Sequence, residues 1–422
     1  MRYIYTSLFY LFIPFILLRL LWRGYKSPAY LKRWLERFGF IPYFLGEKGC
    51  IWIHAVSLGE TLAAIPLIKA LKQQYPSQNI LVTTTTPTGS KQIKDVFKEE
   101  IFHVYLPYDL PGALTRFLKK VKPTLLILIE LEIWPNIIHQ CKKNHIPVLI
   151  INGRLSEKTA KRYGYIKIFI TETFQGVTHV AVQTSIERDR FIKLGLAPQK
   201  ITITGNIKFD LEIPIDLPEK SISLKKAWGI NRPVWIAAST HEKEEQIILN
   251  AFATVKKHFP TLLLLLVPRH PERFDFVANL CKTYNLIRHS EKKLPTQDTD
   301  IYLGDTIGEL LLFYKASDLA FVGGSLIPIG GHNVLEPAAI GIPCLTGPYT
   351  FNFLEINHKL KTANALFTVK NTQELTEQVL YLLRQPEKSK ASGQRGQKFV
   401  EANKGSLQKQ LNLIIHTLAD KR

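Results

Sequence analysis

Residues 50–76 read CIWIHAVSLGETLAAIPLIKALKQQYP and contain a complete strand–helix unit. The run CIWIHAV is short, apolar and without alternation, which is typical of a strand buried on both faces of a parallel sheet. Ser57 and, three positions later, Glu60 form the capping-box pattern that begins a helix. The stretch therefore predicts a β-strand followed directly by an α-helix, the unit from which doubly wound α/β sheets are built.

The same alternation of apolar run and helical pattern continues along most of the chain. Residues 211–233, which are rich in proline and charge, interrupt it and read as a hinge. We therefore predict an α/β protein with two Rossmann-like domains, 26–212 and 213–422, that face a central cleft. The other runs that read as strands are NILVTTTT (79–86), IFHVYLP (101–107), TLLILIE (124–130), IPVLIING (146–153), VTHVAVQT (177–184), KITITGN (200–206), VWIAAST (234–240), TLLLLLVP (261–268), DIYLGD (300–305), SDLAFVGG (317–324) and PCLTGP (343–348).

The composition narrows the class of protein. The chain has 422 residues, of which 46% are hydrophobic and 21% charged, as in a globular protein large enough for two domains. Its four cysteines are far apart and lack the spacing of a disulfide framework or a zinc site, which predicts a reduced, cytoplasmic setting. The net charge of +20 favours polyanionic partners: nucleic acid, an anionic membrane or acidic small molecules.

An apolar segment near the N-terminus favours the membrane among these partners. Residues 3–22, YIYTSLFYLFIPFILLRLLW, have about the length of a bilayer-spanning helix, which is roughly 20 residues. The basic residues that follow at 23–37 predict, by the positive-inside bias, that the rest of the chain lies in the cytoplasm. Residues 30–38 have the pattern of an amphipathic helix in the headgroup region, although a core-facing helix would give the same pattern. We predict a membrane anchor at residues 1–25.

A glycine-rich stretch lies at the end of a predicted strand, where open α/β sheets bind their ligands. Residues 321–348 read FVGGSLIPIGGHNVLEPAAIGIPCLTGP, and the glycines allow a sharp turn and close approach of a ligand. Asn333 opens a predicted helix whose N–H groups could bind phosphate, and Glu336 could accept hydrogen bonds from a ribose. A glycine turn before a capped helix would give the same letters. The spacing is not that of a Walker A loop, which argues against ATP hydrolysis.

Other strand ends carry charged side chains that have both structural and functional interpretations. Arg269 could bind a phosphate or pair with a neighbouring carboxylate. Glu60 could cap its helix or act as a base, since the helix dipole favours its ionised form. Glu130 and Glu132 end an apolar strand, where carboxylates are costly unless they are paired or functional. Lys208 follows the last strand before the hinge and could equally be a surface lysine.

Seven separated segments, in order along the chain, resemble the motifs of the bacterial 3-deoxy-D-manno-octulosonic acid (Kdo) transferases of lipopolysaccharide synthesis. The resemblance runs from the N-terminal anchor to the final helices. It implies a GT-B fold and inverting transfer of Kdo from CMP-Kdo to the lipid A precursor lipid IVA at the inner membrane. The segments are HAVSLGE (54–60), ELEIWPN (130–136), INGRLS (151–156), GNIKFD (205–210), VPRHPERF (267–274), LGDTIGEL (303–310) and FVGGSLIPIGGHNVLEPA (321–338).

The resemblance also implies roles for individual residues. Glu60 matches the general base, and Glu130 and Lys208 match residues that stabilise the transition state. We expect Glu309 and Glu336 each to cap a helix and to contact CMP at the same time. Glu60, by contrast, should leave its capping box during catalysis. No cofactor and no metal are expected. The segments that match the CMP-binding motifs are Pro268–Arg269, Ile307–Gly308–Glu309 and Asn333–Val334–Leu335–Glu336.

Three alternatives stay open on the sequence alone. A GT-B transferase could use a UDP-sugar at the inner membrane, and a UDP-sugar epimerase has the same architecture, although the predicted anchor argues against an epimerase. A basic scaffold or nucleic-acid binder is the third, but the chain has no recognisable RNA- or DNA-binding motif. The expected partners are CMP-Kdo, a lipid A precursor and the anionic surface of the inner membrane, with the catalytic domains on its cytoplasmic face and no nucleic acid.

Overall fold

The computed structural model describes residues 1–42 and 49–420 of the chain. The α-helices in these ranges are α1 Arg2–Lys26, α2 Leu58–Gln74, α3 Pro87–Phe97, α4 Pro111–Val121, α5 Pro135–Lys143, α6 Glu157–Gly164, α7 Lys167–Phe174, α8 Ser185–Lys193, α9 Leu217–Trp228, α10 Glu244–His258, α11 Phe274–Leu280, α12 Leu310–Lys315, α13 Leu335–Ala339, α14 Leu354–Thr362, α15 Thr372–Arg384, α16 Pro386–Ala402 and α17 Ser406–Ala419. The β-strands are β1 Cys50–His54, β2 Asn79–Thr84, β3 Phe102–Tyr105, β4 Pro123–Ile129, β5 Val148–Gly153, β6 His179–Val182, β7 Ile201–Ile203, β8 Val234–Thr240, β9 Leu263–Pro268, β10 Leu286–Arg288, β11 Ile301–Leu303, β12 Leu319–Val322, β13 Cys344–Thr346 and β14 Leu366–Thr368. Short 3₁₀ helices occur at Pro28–Leu31, Trp34–Phe38, Pro198–Lys200, Ile207–Phe209, Pro271–Arg273 and His289–Glu291.

The chain forms two compact units. Unit 1 contains Met1–Asp210 and the C-terminal segment from Lys404, and unit 2 contains Leu211–Asn403. In the described part of unit 1, seven strands form one sheet in the order β3-β2-β1-β4-β5-β6-β7, and all neighbouring strands are parallel. Unit 2 has a parallel sheet of seven strands in the order β10-β11-β9-β8-β12-β13-β14. Both units are therefore Rossmann-like, as the succession of βα patterns predicts.

The central strands are apolar throughout because helices cover both faces of each sheet. In β4, Leu126 and Leu128 point into one hydrophobic cluster of unit 1, while Leu125, Ile127 and Ile129 point into the cluster on the opposite face. Successive side chains of a strand alternate between the two faces of the sheet, so in a strand buried on both faces every position favours an apolar residue. This burial explains why the apolar runs of the sequence are continuous.

The C-terminal helix packs on unit 1, whereas the sequence predicted that residues 213–422 form one C-terminal domain. Leu411 and Ile414 of α17 belong to the same hydrophobic cluster as strands β1 and β2 of unit 1. The carboxylate of Asp210 accepts hydrogen bonds from the backbone N–H groups of Gly405 (2.6 Å) and Leu407 (2.7 Å) at the beginning of the helix. The chain thus returns to its first unit because the apolar face of α17 and its N-terminal N–H groups both find partners there.

The stretch 211–233 is more ordered than a hinge pattern suggests, since it contains helix α9. Trp228 at the end of this helix is buried against the rings of Tyr302 and Phe313 of unit 2. At the other end of the chain, α1 is long and apolar enough to cross a membrane, and most of its residues are exposed.

Candidate functional site

Three predicted catalytic residues follow strands of unit 1 at the carboxyl edge of its sheet. Glu60 lies in the first turn of α2, which begins just after β1, and Glu130 directly follows the neighbouring strand β4. Lys208 lies in the 3₁₀ turn Ile207–Phe209 after β7. Parallel strands bring these positions to one edge, although they are far apart in the sequence.

The carboxylate of Glu60 is folded back onto the chain that precedes α2. It accepts a hydrogen bond from the backbone N–H of Val56 (2.6 Å) and one from the hydroxyl of Ser57 (2.9 Å), while the Ser57 oxygen accepts from the backbone N–H of Glu60 (3.4 Å). A reciprocal capping box requires the glutamate to bind the N–H of the capping residue itself. Thr184 and Glu187 at α8 form such a box, whereas Glu60 binds the N–H one position earlier.

The charge of Glu60 is set by its surroundings. Burial raises its pKa to about 7, with a further rise from the negative charge of Glu130, against the lowering effect of hydrogen bonds from Val56 and Ser57. The pKa of Glu132 rises to about 8, first through burial and then through the charges of Glu60 and Glu130. Two carboxyls of unit 1 therefore have pKa values raised close to neutral pH, and that of Glu60, at about 7, is where a general base is most effective.

Glu130 forms an ion pair with Lys208. Its carboxylate lies 3.4 Å from the ammonium of Lys208, and both side chains are about four-fifths buried, at 21% and 24% exposure, within the described structure. The backbone of Glu130 has φ of 62°, in the left-handed region that non-glycine residues rarely adopt. Such a conformation costs about 1–3 kcal/mol and is concentrated at functional sites. The sharp turn after β4 is what turns this carboxylate toward Lys208.

A chain of three side-chain amides, two of them buried, holds the turn that carries Lys208. The side-chain oxygen of Asn206 accepts from the backbone N–H of Lys208 (3.0 Å), and its amide nitrogen donates to Gln183 (2.9 Å). Gln183 in turn donates to the backbone carbonyl of Asn152 (3.0 Å), whose side chain accepts from the N–H of Ile207 (3.2 Å). These three amides were not predicted as site residues, although Asn152 and Asn206 lie within the quoted segments INGRLS and GNIKFD.

In unit 2, the predicted nucleotide-binding residues also follow strands at one edge of the sheet. Pro268 is the last residue of β9 and Arg269 follows it with an exposed side chain. Asn333 donates from its amide to the carboxylate of Glu336 (3.1 Å) and accepts from the N–H of Leu335 (3.1 Å). Burial raises the pKa of Glu336, and the positive charge of Arg269 acts against this rise. Arg269, Asn333 and Glu336 therefore lie within electrostatic reach of one another.

Glu244, which was not predicted, organises the glycine-rich loop. Its carboxylate is buried at the start of α10 and accepts from the backbone N–H groups of Gly324 (2.7 Å), Ser325 (3.1 Å) and Leu326 (2.9 Å). A Cβ at Gly323 would lie 2.6 Å from the carbonyl oxygen of Ser239, so no side chain fits there. The glycines thus permit the loop to wrap a buried carboxylate, a structural use that the motif letters alone do not separate from ligand binding.

Two histidines stack beside this loop. The Nε2 atoms of His241 and His332 are 2.7 Å apart, so one ring donates and the other accepts, and their planes are nearly parallel. Burial, and then the neighbouring positive groups, lower the pKa of His241 to about 4 and that of His332 to about 3. Both rings are therefore neutral near pH 7 and present polar edges next to Arg269.

The segment 306–309 lies after β11, which neighbours β9. Glu309 accepts a hydrogen bond from the hydroxyl of Thr306, and its carboxylate lies 3.0 Å from Nε2 of His289. Ile307 is 81% exposed, and Gly308 has φ of 95° with open space around it. The exposed tip gives a ligand free access to the backbone of Gly308.

The expectation that Glu309 and Glu336 close helix ends, and that Asn333 opens a helix, was wrong about the helix boundaries. Helix α12 begins at Leu310, after Glu309, and α13 begins at Leu335, after Val334, without a side-chain cap at either N-terminus. The helices have six and five residues, so their dipoles are small. In residues 306–309 the Thr306 hydroxyl binds Glu309 within the loop, whereas Asn333 binds the first two residues of α13. In the described ranges, no group of three or more His, Cys, Asp or Glu residues has the geometry of a metal site.

Comparison with known proteins gives the family. Residues 32–211 match the family described as 3-deoxy-D-manno-octulosonic-acid transferase (kdotransferase), and residues 232–399 match the glycosyl transferases group 1. The 3-deoxy-D-manno-octulosonic acid transferase of Haemophilus influenzae is 44% identical over 421 residues, which cover 98% of each chain. The chain belongs to the 3-deoxy-D-manno-octulosonic acid transferase family. The enzyme of the same name from Bordetella pertussis is 33% identical over 377 residues, or 86% of each chain.

Solved structures with little sequence identity share the fold of this transferase. The UDP-GlcNAc 2-epimerase of Neisseria meningitidis has a TM-score of 0.55 and 15% identity, covering 88% of this chain and 99% of its own. A glycosyltransferase from Rickettsia africae has a TM-score of 0.52 and 16% identity, covering 88% of this chain and 98% of its own. The predicted GT-B fold is confirmed by these likenesses, and the family makes the protein a glycosyltransferase.

Proposed function

We propose that this transferase moves Kdo from CMP-Kdo to a lipid A precursor, lipid IVA, with inversion at the anomeric carbon. The observation that carries the proposal is the 44% identity to the Haemophilus influenzae enzyme over nearly the whole of both chains. The placement of Glu60 and Arg269 at strand ends of their units supports it, because ligands of open α/β sheets bind at such ends.

Glu60 is the proposed general base. An acceptor hydroxyl attacks the anomeric carbon of Kdo, its proton passes to the Glu60 carboxylate, and CMP leaves with the bonding electron pair from the opposite face. With a pKa near 7, the carboxylate is about half ionised at neutral pH and becomes a strong enough base to receive this proton. The hydroxyl of the substrate would replace the Ser57 hydroxyl as hydrogen-bond donor to this carboxylate.

Glu130 and Lys208 are proposed to stabilise the transition state. The Lys208 ammonium makes one long ion pair of 3.4 Å with Glu130, so it retains donor N–H groups for a substrate. A carboxylate or a developing negative charge on the donor sugar is a suitable acceptor for those groups. Glu130 fixes the position of Lys208, and its charge adds to the rise in the pKa of Glu60 that burial produces.

Unit 2 is proposed to hold the cytidine monophosphate. Arg269 would neutralise the phosphate, the loop Ile307–Gly308–Glu309 would offer backbone N–H groups, and the segment Asn333–Val334–Leu335–Glu336 would bind the ribose with its carboxylate. We propose that transfer proceeds without a metal cofactor, so that a chelator of divalent cations leaves the rate unchanged.

The acceptor is a lipid, and we place the enzyme on the cytoplasmic face of the inner membrane. Helix α1 provides an apolar surface, and the net charge of +20 attracts the enzyme to anionic lipids and to the phosphates of the acceptor. Association with phospholipid keeps the two domains at the surface where the acceptor is found.

A donor comparison tests the proposal. Purified enzyme is incubated with a tetra-acylated lipid A precursor and either CMP-Kdo or UDP-N-acetylglucosamine, and release of CMP or UDP is followed. We expect acceptor-dependent release of CMP only, and an Arg269→Ala variant should raise the KM for CMP-Kdo more than it lowers kcat. Release of UDP with no release of CMP would assign the site to a different donor.

A further inference from the structure

Helix α1 is attached to unit 1 at its N-terminal end. The guanidinium of Arg2 donates to the side-chain oxygen of Asn136 (3.1 Å), and the hydroxyl of Thr6 donates to the same oxygen (3.1 Å). The ring of Tyr5 lies 5.6 Å from that of Phe169, between centroids. The first two turns of the helix are therefore joined to α5 and α7 of the globular unit by polar and aromatic contacts.

The chain that leaves the other end of α1 is attached to the same unit. The carboxylate of Glu36 is buried and accepts from the backbone N–H of Tyr105 (2.8 Å) in β3. The rings of Phe9 and Phe38 lie 6.5 Å and 5.5 Å from that of Tyr108. Residues 27–38 thus run back along α1, so that Phe9 in the helix and Phe38 after it both contact the ring of Tyr108.

One face of α1 is shielded along its whole length. The residues with reduced exposure recur every three or four positions, which is the period of a helix, and the other positions from Tyr3 to Tyr25 are exposed. Leu8, Phe15 and Trp22, spaced by seven residues, are 49%, 65% and 60% exposed. The shielded positions are Arg2, Tyr5, Thr6, Phe9, Ile13, Ile16, Leu17, Leu20 and Gly24.

This arrangement is incompatible with a helix that carries its N-terminus across a bilayer. Crossing the hydrocarbon core takes about 30 Å, so Arg2 and Thr6 would lie near the far surface. Their partner Asn136 is buried in unit 1, and Asn136 donates in turn to the backbone oxygen of Asp109, whose carboxylate is also buried. A spanning helix would pull these polar groups into lipid or break their contacts with α1.

We propose that α1 lies in the plane of the membrane, within the cytoplasmic leaflet, with its exposed face against acyl chains and its shielded face against unit 1. The proposal rests on the membrane location given above and replaces a spanning anchor with an in-plane one. Arg19, Arg23 and Lys32 are exposed at the end of the helix and just after it, where they meet anionic phospholipid headgroups. The bilayer is therefore the partner of this face, and unit 1 is held directly against the lipid surface.

Depth-dependent fluorescence quenching tests the orientation. The native cysteines are all buried, so single cysteines introduced by Leu8→Cys, Phe15→Cys and Trp22→Cys can carry an environment-sensitive label. The full chain is reconstituted in vesicles of phosphatidylethanolamine and phosphatidylglycerol that contain nitroxide lipids quenching at two depths. We expect the three labels to report equal depth, and an Ile16→Cys label on the shielded face to be quenched less.

The alternatives give different patterns. A spanning helix places the Phe15 label deep and the other two about 10 Å shallower on each side, since seven residues advance a helix by about 10 Å. That result overturns the proposal, and so does the absence of quenching at all three positions, which would assign the face to a protein partner. Release of CMP from CMP-Kdo, followed on the same vesicles, reports the proposed activity separately, so failure of one proposal is distinguishable from failure of the other.

Discussion

Replacement of Glu60 by glutamine removes the proposed base and leaves the shape of the side chain unchanged. A positioned general base contributes about 10²–10⁴-fold to a rate, which equals about 2.7–5.4 kcal/mol of transition-state stabilisation. Glutamine keeps one of the two acceptor oxygens that bind the Val56 N–H and the Ser57 hydroxyl, so the folded state should lose no more than about 1.5 kcal/mol. We therefore expect Glu60→Gln to lower kcat by at least about 10²-fold while the protein stays folded.

The assay follows acceptor-dependent release of CMP under saturating CMP-Kdo, with thermal unfolding measured on the same preparation. The matched control is Glu187→Gln, because Glu187 has the same position in a helical first turn and accepts hydrogen bonds from the N–H and hydroxyl of Thr184. This control should keep its fold and its turnover, because glutamine at this position of a capping box still offers an acceptor oxygen to the N–H of Thr184. If Glu60→Gln retains turnover within a factor of about ten of the parent, the proposed base is wrong.

The same contacts predict the effects of pH and of two further substitutions. The value of kcat/KM should fall about tenfold per pH unit below about 7, because Glu60 must be ionised to accept a proton, and Glu60→Gln should lack this limb. The folded-state pKa of Glu60 lies above its ordinary value of 4.5, so the folded protein binds this proton more tightly than the unfolded chain does. The resulting contribution to the free energy of unfolding is present below pH 4.5 and is lost as the pH rises through about 7. Denaturation of the parent and of Glu60→Gln across this pH range measures that contribution. Lys208→Met should lower kcat about 10²–10³-fold by removing the cation beside Glu130, whereas Lys161→Met, at an exposed ion pair, should leave it unchanged in the same CMP-release assay. Glu244→Gln should lower the free energy of unfolding by about 1.5–3 kcal/mol and weaken CMP binding, since the buried carboxylate holds the loop at Gly324; urea denaturation and CMP titration with unchanged values would contradict this role.

The sequence was informative about the sheets because their strands are buried on both faces. A continuous apolar run as short as that of β4, between two helical patterns, is typical of a central parallel strand. The parallel arrangement then places Glu60, Glu130 and Lys208 at one edge. In unit 2, Arg269 lies at the end of β9 for the same reason. Placement at strand ends is a topological property, so it can be predicted without knowledge of any side-chain contact.

Contacts between distant segments could not be read from the sequence. The return of α17 to unit 1 depends on Asp210 and on an apolar face whose partners in unit 1 are distant in the sequence. The left-handed backbone of Glu130 arises from the turn after β4, and a glutamate gives no local signal of it. Glu244 reads as an ordinary helical residue until its carboxylate is seen to bind three loop N–H groups.

The pattern of Ser or Thr with Glu three positions later illustrates the limit of a local motif. It marks a true helix start at Ser57 and a complete capping box at Thr184, but at Thr306 it folds into a loop that ends before α12. The difference lies in the neighbours of each carboxylate. His289 faces Glu309, whereas Glu187 has the backbone N–H of Thr184 within reach.

The mass of the lipid product is the most direct measure of the proposed reaction. The full chain is incubated with CMP-Kdo and a tetra-acylated lipid A precursor in phospholipid vesicles, and the acceptor is analysed by mass spectrometry. We predict that the acceptor gains the mass of one or more Kdo residues and that the gain is lost in the Glu60→Gln variant. An acceptor of unchanged mass, in the presence of folded enzyme and intact donor, would contradict the proposed transfer.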